Sequence, residues 1–272
     1  MSSQLAGITG VTGALRVGAC QTPEILGDVD AALRCMEGFA READQRGMQL
    51  LLFPECFLQG YLVQERHLDA YAMDLRSAPF GALLRRLDPI RQTLVFGMIE
   101  RREGRYFNSA VVVGGGELLG IYRKVHLMPG ESLFTAGEDY PTFDVEGMRF
   151  GINICSDTQV PAAAAAVAAQ DAQLLLVPAQ NMMRRTSALQ WKDRHTPIRA
   201  ARARESGLWL VSADVTGERG ADRIGYGPTS IINPQGEVVA QVPEMTPGMA
   251  TATVDCRKAP PGLEPVPRPR LA

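Results

Sequence analysis

From Thr93 to Tyr122 the sequence repeats a pattern that leaves the chain little choice of fold. Three apolar runs, at 94–100, 106–113 and 117–122, are separated only by Arg102-Glu103-Gly104-Arg105 and by Gly114-Gly115-Gly116. Connections that short join strands as antiparallel hairpins. The segment before them demands the opposite arrangement. Residues 15–20 make a short apolar strand, Asp28 is a good N-cap, and Val29, Ala32, Leu33, Met36, Phe39, Ala40 and Ala43 keep helical spacing as far as Gly47. Residues 50–53 are then a buried strand stopped by Pro54, and a strand–helix–strand unit implies a parallel pair. The sheet is therefore mixed.

Later segments add more strands. Residues 141–145 and 148–154 form a hairpin around Glu146-Gly147, and 229–232 and 237–241 form another around a turn at 233–236. Single strands follow from 174–178, 208–214 and 249–254. The alanine-rich stretch 162–170 is helical by propensity. Residues 187–206 read as an amphipathic helix, broken or restarted near Pro197, whose arginines, Arg199 and Arg202 among them, form a solvated face. Residues 217–227 read as a glycine-rich loop, and 62–90 as irregular loop and helix with His67 on the surface. About twelve strands with about four helices are too many for one open parallel sheet; two sheets packed face to face, with helices on both outer sides, accommodate them. No linker interrupts 14–258, which reads as one domain. It lies between a loose leader, 1–13, and a proline-rich tail, 259–272, suited to wrapping a partner subunit.

The 272 residues, 46% hydrophobic, suffice for one large core. A formal net charge of −2 gives no support for nucleic acid or an anionic membrane as partner. Five cysteines, at 20, 35, 56, 155 and 256, are scattered without a Cys-x-x-Cys pair, so neither a disulfide framework nor a zinc site is indicated. The N-terminal residues lack the features of a signal peptide, and no apolar run reaches membrane-spanning length. A cytoplasmic location is expected.

Three polar residues share one position type. Glu55 follows the strand at 50–53, Lys124 follows the strand at 117–122, and Cys155 falls where 151–154 runs out before a turn into a helix. In α/β architectures such strand ends line a common crevice. A buried cysteine is also a common core residue, a turn glutamate is usually solvated, and most lysines are surface lysines. Together, however, the three make chemical sense. A carboxylate can take the thiol proton, an ammonium can stabilise the thiolate, and the sulfur can attack an electrophilic carbon. A Cys–His arrangement using His126 or His195 is a competing version, although His126 also suits a structural role.

These residues carry a resemblance. Leu52-Phe53-Pro54-Glu55 with Gly60-Tyr61 beyond, Tyr122-Arg123-Lys124-Val125-His126-Leu127, and Gly151-x-x-Ile154-Cys155-x-Asp157 resemble the glutamate, lysine and cysteine motifs of the carbon–nitrogen hydrolase (nitrilase) superfamily. Asn108-Ser109, Arg202-Ala203-x-Glu205 and the hairpin 231–236 are further matches. The resemblance implies a four-layer α-β-β-α sandwich with two mixed sheets, a Glu–Lys–Cys triad, no cofactor or metal, and a homodimer or higher homo-oligomer. It assigns Glu55 as general base, Lys124 as oxyanion stabiliser, Cys155 as thioester-forming nucleophile, and the backbone N–H of Ser156 as second oxyanion donor. Glu131 resembles a second glutamate that orients substrate and the Cys–Lys geometry in amidase and carbamoylase branches.

The implied activity is a cysteine amidohydrolase acting on a small amide or N-carbamoyl amine. Its alternatives are a nitrilase, or an inactive binding module on the same fold. Ser156 and Val160-Pro161-Ala162 depart from the usual motif, as does Ser206; Thr229 stands where a small hydroxyl is expected. None of these touches the triad.

Overall fold

In the computed structural model, which describes residues 13–255, the chain opens with β1 (Ala14–Pro23), α1 (Val29–Gln45) and β2 (Leu50–Leu52). Two short helices follow, α2 (Glu65–Tyr71) and α3 (Ala78–Leu87), and then the meander β3 (Thr93–Arg102), β4 (Arg105–Gly114) and β5 (Glu117–Arg123). The hairpin β6 (Thr142–Val145) and β7 (Met148–Ile152) leads into α4 (Pro161–Ala168), β8 (Leu174–Pro178), β9 (Met183–Arg184) and the long α5 (Arg185–Ser206). The chain then runs through β10 (Trp209–Ala213), β11 (Val215–Arg219), β12 (Arg223–Tyr226), β13 (Ser230–Ile232), β14 (Val238–Gln241) and β15 (Gly248–Asp255). Residues 1–12 of the expected leader (1–13) and the whole tail at 259–272 lie outside the described residues.

Local chemistry accounts for these elements. Asp28 caps α1 by accepting from the Ala31 N–H at 2.8 Å, and Gly47, at φ +62°, turns the chain out of it. β1 and β2 pair in parallel, β3, β4 and β5 pair antiparallel, and β6–β7 and β13–β14 are hairpins, as the sequence implies. One sheet holds nine strands, β5-β4-β3-β2-β1-β11-β12-β9 with β15 also against β1; the other holds six, β14-β13-β10-β8-β7-β6.

Side-chain alternation assigns the layers. Leu50, Leu52, Val95 and Val112 from the first sheet meet Phe150, Ile152, Leu174 and Leu176 from the second in one buried cluster. The opposite face of the first sheet, Leu51, Phe53, Leu94 and Phe96, packs on Leu33 and Met36 of α1 and Phe80 and Leu83 of α3. The opposite face of the second, Leu175, Val177 and Leu210, packs on Ala164 and Val167 of α4 and Ala200 and Ala203 of α5. The result is a four-layer α-β-β-α sandwich with two mixed sheets. Each leucine so enclosed contributes about 1.5–3 kcal/mol, and the period-2 runs of the sequence specify which face it serves. No helix among the described residues is long and apolar enough to cross a membrane.

Four expectations are corrected. The described residues form fifteen strands rather than about twelve, because 217–227 is largely a β11–β12 hairpin and not a loop, and Met183–Arg184 adds β9 at its edge. α5 continues through Pro197. Proline removes one N–H, and Asp193, whose carbonyl loses that partner, is exposed and can turn to water. Arg199 and Arg202 are buried rather than solvated. His67 is buried too, its Nε2 at 3.1 Å from the Gly60 carbonyl.

One backbone crossing positions the first motif. Beyond β2 the chain passes directly over Gly97 of β3, whose N–H donates to the Pro54 carbonyl at 3.0 Å and whose carbonyl accepts from the Leu58 N–H at 3.1 Å. A Cβ at Gly97 would stand 2.2 Å from the Cys56 nitrogen and 2.6 Å from the Glu55 Cα. Gly97→Ala should therefore cost about 1–3 kcal/mol of stability by overpacking and displace Glu55. Urea unfolding followed by an activity assay checks both, and wild-type values for each would contradict this role.

Candidate active site

The pocket floor is assembled from strand ends of both sheets. Glu55, just past β2, is tied to the second sheet by its N–H, which donates to the Ala179 carbonyl beyond β8 at 3.2 Å. Lys124 follows β5, and its N–H donates to the Asn108 carbonyl of β4 at 2.9 Å. The residue before it, Arg123, is held by a two-pronged pair with buried Glu100, at 2.7 and 2.6 Å. Cys155 follows β7 and opens a single 3₁₀ turn, Cys155–Gln159.

Glu55, Lys124 and Glu131 are all buried and meet in one cluster. Lys124 Nζ donates to Glu55 Oε1 at 2.7 Å and to Glu131 Oε1 at 2.9 Å. Asn108 Nδ2 donates to the same two oxygens, at 2.7 and 3.1 Å. The Met128 N–H completes Glu131 by donating to its Oε2 at 2.7 Å. Two buried carboxylates thus share one ammonium and one amide, and the further donor to Glu131 comes from Met128, which caps the one-turn helix Pro129–Glu131 that folds the acid back on it. Burial without such partners would be prohibitive for three charges.

Cys155 adopts φ +44°, a left-handed conformation costly for a residue with a Cβ. Asp157 holds it there. This carboxylate accepts from the Ile154 N–H at 2.8 Å, the Tyr122 hydroxyl at 2.7 Å and the His126 N–H at 2.8 Å. It therefore clamps the cysteine turn to the strand and loop that carry Lys124. Ser156 adds a second clamp, its hydroxyl donating to the His126 carbonyl at 2.7 Å. As the second residue of the turn, Ser156 has a backbone N–H with no partner inside it.

Electrostatics follow from burial and proximity. Burial raises the Glu55 pKa, a rise that Lys124 opposes and Glu131 reinforces. Burial disfavours the Lys124 ammonium, but Glu55, Cys155 and Glu131 outweigh it and hold the group charged, above its ordinary range. The Cys155 thiol is pushed up by burial and then by Glu55, against the pull of Lys124. At neutral pH the sulfur therefore rests as a thiol. The expected order of events, in which a carboxylate takes the thiol proton, starts from that form.

The cavity above this floor has a volume of about 330 Å³. Glu55, Lys124, Cys155 and Ser156 reach it, and its walls include Tyr61, Met128, Met182, Trp191 and Ile198. Glu131 lies behind Lys124 and is not among the lining residues, so it contacts the lysine and Asn108 rather than the cavity. Of the two histidines weighed, His126 points its Nε2 at the Tyr140 hydroxyl, 2.8 Å away, and serves the structure. His195 does line the cavity, stacked on Trp191 with centroids 5.6 Å apart, and burial together with Arg199 pushes its pKa down to about 3. Among the described residues no histidine is hydrogen-bonded to Cys155.

Sequence reasoning passed over three supports. Asn108 stood in a secondary motif with no role attached. Asp157 was quoted only as part of the cysteine pattern. The buried pair Arg199–Asp214, at 3.3 Å, was hidden in a charge run and at a strand boundary. Asp214 also accepts from the Asn181 N–H at 2.9 Å, and its own N–H donates to the Thr229 hydroxyl oxygen at 2.9 Å. A polar residue inside an otherwise apolar strand pattern was the available signal for Asn108.

The chain is also similar to known proteins over most of its length. The family sequence model described as carbon–nitrogen hydrolase matches residues 16–260. A nitrilase of Pyrococcus abyssi is 31% identical over 239 residues, 86% of each chain. An (R)-stereoselective amidase of a Pseudomonas species is 30% identical over 195 residues, 70% of this chain and 67% of the relative. Among solved structures, a mutant of the amidase from Nesterenkonia sp. AN1, showing the result of Michael addition of acrylamide at its active-site cysteine, superposes with a TM-score of 0.73. It is 27% identical and covers 89% of this chain and 92% of its own.

Because the thiol pKa is raised, the reactive thiolate fraction grows about tenfold per pH unit below it. Iodoacetamide labelling of Cys155, followed by peptide mass spectrometry, should accelerate continuously from pH 6 to pH 9. A plateau below pH 7 would reveal a preformed thiolate and contradict the resting state described above.

Proposed function

The chain belongs to the carbon–nitrogen hydrolase family, and from that premise we propose that it hydrolyses a small linear amide or N-carbamoyl amine through a thioester on Cys155. That it is a cysteine-dependent hydrolase of non-peptide C–N bonds follows from the family. The narrower reading is carried by one observation: a buried lysine held between two carboxylates at the floor of a cavity that Cys155 also reaches.

The steps follow from what each group can do. Glu55 accepts the thiol proton as the sulfur bonds to the carbonyl carbon, and the carbonyl π electrons move onto oxygen. Lys124 and the Ser156 N–H face that oxyanion. Collapse re-forms the carbonyl and breaks the C–N bond, while Glu55 returns its proton to the departing nitrogen. Water then adds to the thioester with Glu55 again as base, and the C–S bond breaks to release a carboxylic acid, or a carbamic acid that loses carbon dioxide. Burial raises the Glu55 pKa and Lys124 opposes the rise, the balance of influences that suits a carboxylate to take and return a proton in both halves of the reaction. Glu131 and Asn108 are positioning residues, holding Lys124 and Glu55 at fixed separation without touching substrate.

The nitrilase reading is favoured by the name of the Pyrococcus relative. Glu131 supports the amide reading instead. A homodimer or higher homo-oligomer, a single domain over 14–258 and a cytoplasmic setting belong to the same proposal and rest on family likeness and sequence.

Ammonia release from a panel of amides, carbamoyl compounds and nitriles separates these readings; ammonia and acid from nitriles alone would overturn the amide assignment. On the preferred amide, Cys155→Ala should abolish turnover with the fold intact by circular dichroism. Lys124→Ala should lower kcat by about a hundredfold to a thousandfold, the usual loss for an oxyanion donor. A loss of less than tenfold would make the lysine structural.

A further inference from the structure

The cavity mouth carries a charge arrangement that the chemistry at its floor does not use. β9 and β12 pair antiparallel, and their register sets Arg184 directly opposite Arg223. Both residues line the cavity. Like charges placed opposite each other on neighbouring strands are destabilising, so the pair is a cost to the fold.

The surrounding arginines show that the cost is specific to the cavity. Arg185, next in sequence, pairs with Glu218 at 2.9 Å, and Arg219 pairs with Glu24 at 3.3 Å. Neither lines the cavity. Arg184, which is exposed, has no hydrogen-bond or ion-pair partner among the described residues, and Arg223 has only the Met182 carbonyl, at 3.3 Å. Glu24 senses the charge of Arg223, but its carboxylate is taken by Arg219 and by Gln180. Glu218 on this ribbon and Glu24 beside it are each paired with an arginine that does not line the cavity, and the two arginines that do line it have no ion pair among the described residues.

We propose that Arg184 and Arg223 form a subsite for a carboxylate on the substrate, at the end remote from the scissile C–N bond. Two guanidiniums offer several N–H donors to one carboxylate, the geometry that favours arginine for such groups. Met128, Met182, Trp191 and Ile198 line the same cavity and suit an apolar spacer. The substrate class is therefore an ω-amide or an N-carbamoyl derivative of a carboxylic acid. The assignment of which bond is cut rests on the hydrolase reading above; the anion subsite does not.

The test compares the intact protein on succinic and glutaric monoamides, N-carbamoyl-β-alanine and uncharged aliphatic amides of matched length. The carboxylate-bearing probes should be favoured in kcat/KM by tenfold or more, the scale of one charge-assisted contact, with the preference shrinking as salt rises. Arg184→Gln and Arg223→Gln should each cut that preference several-fold, through KM, and Arg→Lys at either position should restore part of it. Calorimetric binding of glutarate, which needs no turnover, should weaken in parallel. Equal use of charged and neutral amides, or a preference and a glutarate affinity unchanged in both glutamine variants, would overturn the subsite. Ammonia from none of the probes, with glutarate binding still dependent on the arginines, would remove the hydrolase reading and leave the subsite standing. Release of carbon dioxide with ammonia distinguishes the carbamoyl source from the monoamide.

Discussion

Everything at the pocket floor depends on one desolvated cation shared by two anions. Lys124 meets Glu55 and Glu131 where all three side chains are almost wholly buried. In such a place an unpaired charge is costly enough to dominate local stability. The protein answers with further donors: the Asn108 amide spans both acids and the Met128 N–H occupies the outer oxygen of Glu131. The cluster is thereby rigid. Rigidity matters because a general base and an oxyanion donor must keep their places while charge moves between them.

The nucleophile is held by different means. Cys155 sits in a left-handed conformation that its own side chain disfavours, and Asp157 compensates by gripping the turn from three sides. Tyr122 and His126 are two of its partners and flank Lys124 in sequence, so the cysteine turn and the lysine strand end are fixed by one carboxylate. Glu55, in turn, reaches the second sheet through Ala179. The two sheets are stitched together where the chemistry takes place.

Much of this was legible before any coordinates. The short glycine turns after β3 and β4 announced hairpins, the β1–α1–β2 unit announced a parallel pair, and the strand-end positions of Glu55, Lys124 and Cys155 announced a shared crevice. These signals are local, carried by turn chemistry and side-chain period. What escaped depends on tertiary context. Arg199 and Arg202 look like surface charges until α5 is laid on the second sheet, where Arg199 meets Asp214 and the Pro228 carbonyl. Pro197 looks like a break until the helix around it is held by packing. His67 looks solvated until α2 closes over Gly60. In each case residue type gave the ordinary answer, and burial by a distant segment reversed it.

The ribbon of β11, β12 and β9 joins the rest of its sheet through a parallel pairing of only two residues on each side, Thr22 with Val215 and Pro23 with Thr216. The groups that make and break bonds stand elsewhere, on strand ends deep in the sandwich. So slight a seam lets the ribbon's outward residues be exchanged without disturbing the strand ends that carry Glu55, Lys124 and Cys155.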